Sequence, residues 1–155
     1  MRGADASNGI SRRTAWKTLS HVNRAHPVPG DQLLFKSADV RREALVPDAS
    51  GGAKHPIVFA RYGNGPLPLI AAGGKAENAV RLYNVQYVDL RSLAITNHGK
   101  AAAIRCGVDV VLDNFGTAPN KPFEWRKRKV KGAQLGNTIV NLCKFAPVVL
   151  IARRH

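Results

Sequence analysis

Acidic residues are scarce in this chain: 10 Asp or Glu stand against 24 Lys or Arg among 155 residues, a formal charge of +14. No two of the acids are paired in sequence as a hydrolytic acid and base would be, and the surplus of positive charge points to polyanionic partners. Cysteine is nearly missing as well. Cys106 and Cys143 lie far apart and in no paired spacing, which argues against a secreted disulfide scaffold and a structural zinc site and favours a reducing compartment. Long apolar runs are also lacking. The best, Phe145 to Ala152, has the length of a strand and contains a proline, so no segment reaches the eighteen or so residues of a membrane-spanning helix.

A chain of this length can bury a core without staples. Composition changes near residue 65. Residues 1 to 64 hold 10 basic and 5 acidic residues, four scattered prolines and the Gly51-Gly52 pair, and read as a basic, irregular extension. Within it, Asp31 to Val46 suggests a short strand and a turn of helix, and Pro56 to Tyr62 an added strand. Met1 to Arg24 carries five basic residues against Asp5, with Ile10, Trp16 and Leu19 at near-helical spacing. This resembles a mitochondrial transit segment, or a basic arm that gains order on RNA.

Residues 65 to 155, with 14 basic and 5 acidic residues, read as one domain. Leu67 to Ala72 suits a buried strand closed by Gly73-Gly74, and the apolar positions from Lys75 to Leu90 recur at helical spacing. Arg91 to Thr96 alternates as a strand, and Asn97-His98-Gly99 closes it. From Lys100, the positions Ala101, Ile104, Val108, Val111, Leu112 and Phe115 form a second helical stripe. Lys121 to Lys131 reads as an exposed strand and Ala146 to Ala152 as a buried one, the two forming a hairpin. The expectation is an α+β fold, a two-layer β-α-β-α-β-β sandwich with two helices on one face of a four-stranded sheet.

The segments LPLIAAGGKAENAV, LAITNHGKA, AIRCGVDVVLDNF and VVLIARRH, in that order, resemble the Alba family of small basic nucleic-acid-binding proteins. The same order of elements is similar to the C-terminal domain of translation initiation factor three. Both resemblances imply nucleic-acid binding. Arg126, Lys127, Arg128, Lys129 and Lys131 form the densest basic run, with Trp125 beside it as a surface for base stacking. Gly73-Gly74-Lys75 fails as a Walker A loop, because Leu69 and Ala76 stand where a glycine and a Ser or Thr are needed. Lys75 and Lys100, each following glycine at an expected helix start, remain candidates for holding one phosphate apiece, and Arg105 joins them.

His98 has only Asn97 and Thr96 beside it, too little for a general base. His21 and His26 lack further partners for a metal. No catalytic residue, metal or cofactor is therefore expected. The functional expectation is a non-catalytic RNA-binding protein, a structural component of a ribonucleoprotein particle such as a mitochondrial ribosome, with ribosomal RNA and neighbouring proteins as partners and no membrane. The alternatives are a DNA- or chromatin-associated Alba-type dimer, in the nucleus or cytoplasm, and a small basic nuclease.

Overall fold

The structure, a computed structural model, describes residues 3–100 and 105–111 and, beyond them, the backbone of the strands at 124–126, 129–131, 138–140 and 150–153. One short helix, α1 (Leu19–Val22), precedes β1 (Gln32–Lys36), β2 (Val40–Arg41), β3 (Ile57–Tyr62), β4 (Leu69–Ala71), β5 (Asn78–Tyr83) and β6 (Val88–Arg91). There follow β7 (Ala94–Thr96), β8 (Cys106–Val111), β9 (Glu124–Arg126), β10 (Lys129–Lys131), β11 (Thr138–Val140) and β12 (Leu150–Arg153).

The ladders are parallel and join strands distant in sequence. β1, β3, β6 and β11 form one sheet, β2, β4 and β7 a second, and β5, β8 and β12 a third. Gln32 lies opposite Val58, Val58 opposite Asp89 and Asp89 opposite Thr138. The chain thus visits three sheets in turn and returns one ladder further along, which is a parallel β-helix. Among the described strands, only β9 and β10 depart from this pattern, as an antiparallel pair.

Such a solenoid buries its core by stacking. Leu33 lies opposite Phe59 and Phe59 opposite Leu90. Ile70 faces Ile95, and Leu45 bridges to Val80, itself opposite Val108. All but Leu33 in these columns are at most 1% exposed, and each such side chain contributes about 1.5 to 3 kcal/mol by leaving water. The corners need sharp bends. Asn84, Tyr87 and Ser92, all with φ near 52°, are in the left-handed region that turns the chain from one sheet into the next. At the near end α1 covers the first coil, with Leu19 1% exposed in the same core and Val22 packed against it.

The expected two-layer α+β sandwich is therefore overturned. The segment read as a first helix holds β5, a corner and β6, and the second helical stripe contains β8. Asn78 to Tyr83 (NAVRLY) fits both periods, because apolar residues fall at spacings of two and three. The Val-rich strands and left-handed corners decide against helix. Residues 32–62 are not an irregular extension: they supply β1, β2 and β3, and β3 pairs with β6 across the expected boundary at 64. β12 runs parallel to β8 rather than forming a hairpin with the basic segment.

Candidate functional site

Three residues expected to hold phosphates meet at one corner of the solenoid. Gly73 and Gly74 turn the chain after β4 with φ of 66° and 71°, and a Cβ on Gly74 would stand 2.6 Å from the Gly99 Cα of the next coil. Only glycine permits that approach. Lys75 and Lys100, each next to one of these glycines, are exposed at this stacked turn. Arg105 is half-buried, and its Nε donates to the Gly74 carbonyl at 3.2 Å. Asn97 organises the corner. Its Oδ1 accepts from the Gly74 amide at 3.0 Å, and its Nδ2 lies within 3.2 Å of the carbonyls of Ala76, Glu77 and Cys106. Sequence reading took Asn97 for a turn residue only; an Asn closing a strand one coil beyond a Gly-Gly turn is the signal it passed over.

The basic run is only partly described. Lys129 lies opposite Arg126, Val130 opposite Trp125 and Lys131 opposite Glu124; Lys127 and Arg128 lie outside the described residues. His98 is exposed at the end of the Asn97 turn, and Cys106 is buried in β8. His21 packs against Trp16 with ring centroids 4.7 Å apart, and His26 Nδ1 sits 2.9 Å from Asp48. Among the described residues no group of three or more His, Cys, Asp or Glu is placed to hold a metal.

A second site, which sequence reading missed, lies between the segment preceding β1 and the first coil. It is a groove of about 890 Å³ whose walls include Arg12, Trp16, Leu34, Lys36, Arg41 and Tyr62. Two tethers shape it. Asp5 accepts from the Thr18 hydroxyl at 2.7 Å and from the amides of Lys17 and Thr18 at 2.7 and 3.0 Å. The Thr18 hydroxyl bond, the strongest cause, holds the Asp5 carboxyl below its usual range. Arg41 donates to the Lys17 carbonyl at 2.7 Å and pairs with Asp39 at 2.5 Å. Trp16 donates its indole N–H to the Ser7 carbonyl at 2.8 Å.

Several of the described carboxylates bind the scaffold. Glu43 accepts from the Ser20 amide and hydroxyl, Asp31 from the Val28 amide, and Asp89 pairs with Arg91 on β6. On the third sheet Asp109, 5% exposed, accepts from Asn78 Nδ2 at 3.1 Å and lies 3.9 Å from Arg81 Nε. Asp109 Oδ1, Asn78 Oδ1 and Arg81 Nε are buried without a hydrogen-bond partner.

No family model matches the chain, and no curated protein does. Among solved structures it is similar to the GH136 lacto-N-biosidase from Eubacterium ramulus. The native crystal structure is matched at 28% identity over 74% of this chain with a TM-score of 0.68, and the selenomethionine derivative at 28% over 73% with a TM-score of 0.67. The chain spans 23% of the length of those proteins.

Proposed function

We propose that this chain is a capped stretch of parallel β-helix that recognises carbohydrate, with the groove beside β1 as its binding surface. One observation carries the reading: three-quarters of the chain shares backbone course and 28% identity with a glycoside hydrolase. A groove of several hundred Å³ that mixes aromatic, apolar and charged walls has the size and chemistry of a small-ligand site. The proposal is recognition rather than hydrolysis: among the described residues Asp5, Asp39, Glu43, Asp48, Asp89 and Asp109 each have a structural partner. Calorimetric titration of the full chain with a panel of oligosaccharides tests it. Saturable binding lost in Tyr62→Ala is expected; no binding to any glycan would overturn the reading.

A second reading, RNA binding, is favoured by the +14 charge and by the antiparallel β9–β10 ladder, which pairs Lys129 with Arg126 in the densest basic run. Its test is the salt dependence of affinity for an RNA oligonucleotide. Changing Arg126, Lys127, Arg128 and Lys129 together to Ala should reduce the slope of log affinity on log salt by up to about four phosphate equivalents. An unchanged slope would remove the run from the interface.

A further inference from the structure

The groove beside β1 holds a specific charge arrangement. The Arg12 guanidinium lies over the Tyr62 ring, 5.4 Å from its centroid. Tyr62 lies opposite Lys36 in the β1–β3 ladder, so a second cation lines the groove on the strand beside that ring. The site rests on a firm floor, since the Ser37 hydroxyl, in a residue 7% exposed, is 3.0 Å from the Tyr62 carbonyl and 2.8 Å from that of Gly63. Neither Arg12 nor Lys36 is among the ion pairs of the described residues, whereas Arg41 in the same groove is already neutralised by Asp39. Leu34, 48% exposed, adds an apolar wall.

We propose that the groove selects an acidic oligosaccharide, with its anionic group between Arg12 and Lys36 and its sugar rings against Tyr62 and Leu34. This rests on the carbohydrate reading above and names the substrate class. A stacked guanidinium keeps its N–H edge available, and that edge matches a carboxylate or sulfate in two-point geometry. The C–H faces of a sugar ring suit the aromatic and aliphatic walls, where burying apolar area is favourable. A neutral sugar would leave both cations without an ionic partner. A nucleic-acid strand needs a continuous basic track along its backbone, whereas the basic side chains of this groove of about 890 Å³ alternate with apolar and aromatic walls such as Leu34 and Trp16.

The test is calorimetric titration of the full chain with four probes: a uronate-containing oligosaccharide, a sulfated one, the neutral parent of equal length, and a single-stranded RNA oligonucleotide. At least one acidic glycan should bind tenfold or more tighter than the neutral parent, and tighter at low salt than at high. Whether uronate, sulfate or both show the preference assigns the source of the anion. Arg12→Ala and Lys36→Ala should each erase most of the preference, and Arg12→Lys should restore part of it. Both residues are exposed, so melting temperatures should stay near wild type; if Arg12→Ala melts early, Lys36→Ala alone decides. Equal binding of neutral and acidic glycans would overturn this inference and leave the carbohydrate reading standing. No glycan binding would overturn both. RNA binding that depends on Arg12 and Lys36 would give the groove to nucleic acid and overturn the inference as well.

Discussion

The cap before β1 and the coils after it hold together in different ways. In the coils, backbone ladders align like residues, so that Phe59 stacks between Leu33 and Leu90, and Val80 between Leu45 and Val108. In the cap, a helix of four residues, too short to form alone, is fixed by side chains reaching backbone: Asp5 to Thr18, Glu43 to Ser20, Asn23 to the Ala44 carbonyl, Arg41 to the Lys17 carbonyl. Apolar stacking is cooperative and insensitive to salt and pH. Polar tethers are individually worth about 1 kcal/mol and open locally. The groove lies where the two regimes meet, lined by residues of both.

The largest expected effect comes from breaking a column. Phe59→Ala removes a ring 1% exposed with stacked neighbours on both sides, and should cost about 3 to 5 kcal/mol in denaturant unfolding. A loss below about 1 kcal/mol would mean that the coils do not share a continuous core. Next comes Leu19→Ala, the cap's one fully buried anchor. It should cost about 2 to 3 kcal/mol, and hydrogen exchange should rise first in residues 18–23. A uniform rise across β3 and β6 would instead make the cap part of the cooperative core.

The sequence showed strands better than it showed how they assemble. Pro56 to Tyr62, Leu67 to Ala72 and Arg91 to Thr96 were legible from apolar runs closed by glycine or turn residues, and they hold β3, β4 and β7. Two physical facts hid the solenoid. Each coil faces the core on three sides, so strands are short and corners few-residue, and apolar residues on either side of a corner imitate helical spacing, as Ala79, Leu82 and Val85 do. The pairing is also long-range and parallel, so no hairpin turn marks it. A search for spaced self-similarity, with Leu45, Val80 and Val108 recurring at like positions, is the reading that detects such folds. The groove was illegible because Arg12, Lys36 and Tyr62 come from three separate segments. Lys75 was singled out at a helix start where the structure has a turn leading into β5, yet the glycines beside Lys75 and Lys100 and the bond from Arg105 to Gly74 do bring these residues to one corner.

A smaller effect tests the tethers. Glu43→Ala takes away the acceptor for both the amide and the hydroxyl of Ser20, at 2.7 and 3.0 Å. Both groups are exposed enough to find water, so the expected loss is about 1 kcal/mol. Exchange at the Ser20 amide should accelerate while that of β5 and β8 stays unchanged. Equal acceleration in β5 would place Glu43 in the global core and erase the distinction drawn between the two regions.

The smallest effect is a pH dependence confined to the cap. Asp5 has its folded pKa held below the ordinary value of 3.8, first by the Thr18 hydroxyl, against the opposing effect of desolvation, and then by the amides of Thr18 and Lys17 with help from His21. A carboxylate whose pKa is depressed on folding stabilises the fold fully above its unfolded value, and that contribution is lost as pH falls through the folded value. The window is therefore acidic, below about pH 4. Because Asp5 is partly exposed, the charge is screened and the change should be modest, with added salt reducing it further. Lowering the pH through this window should raise exchange at the Thr18 amide before it affects β3 or β6. In Asp5→Asn that acid-dependent step should vanish, with the cap equally loosened at neutral pH. If the step persists in Asp5→Asn, the acid sensitivity belongs to another carboxylate, and Asp5 is not what holds the N-terminal loop against Thr18 at the start of α1.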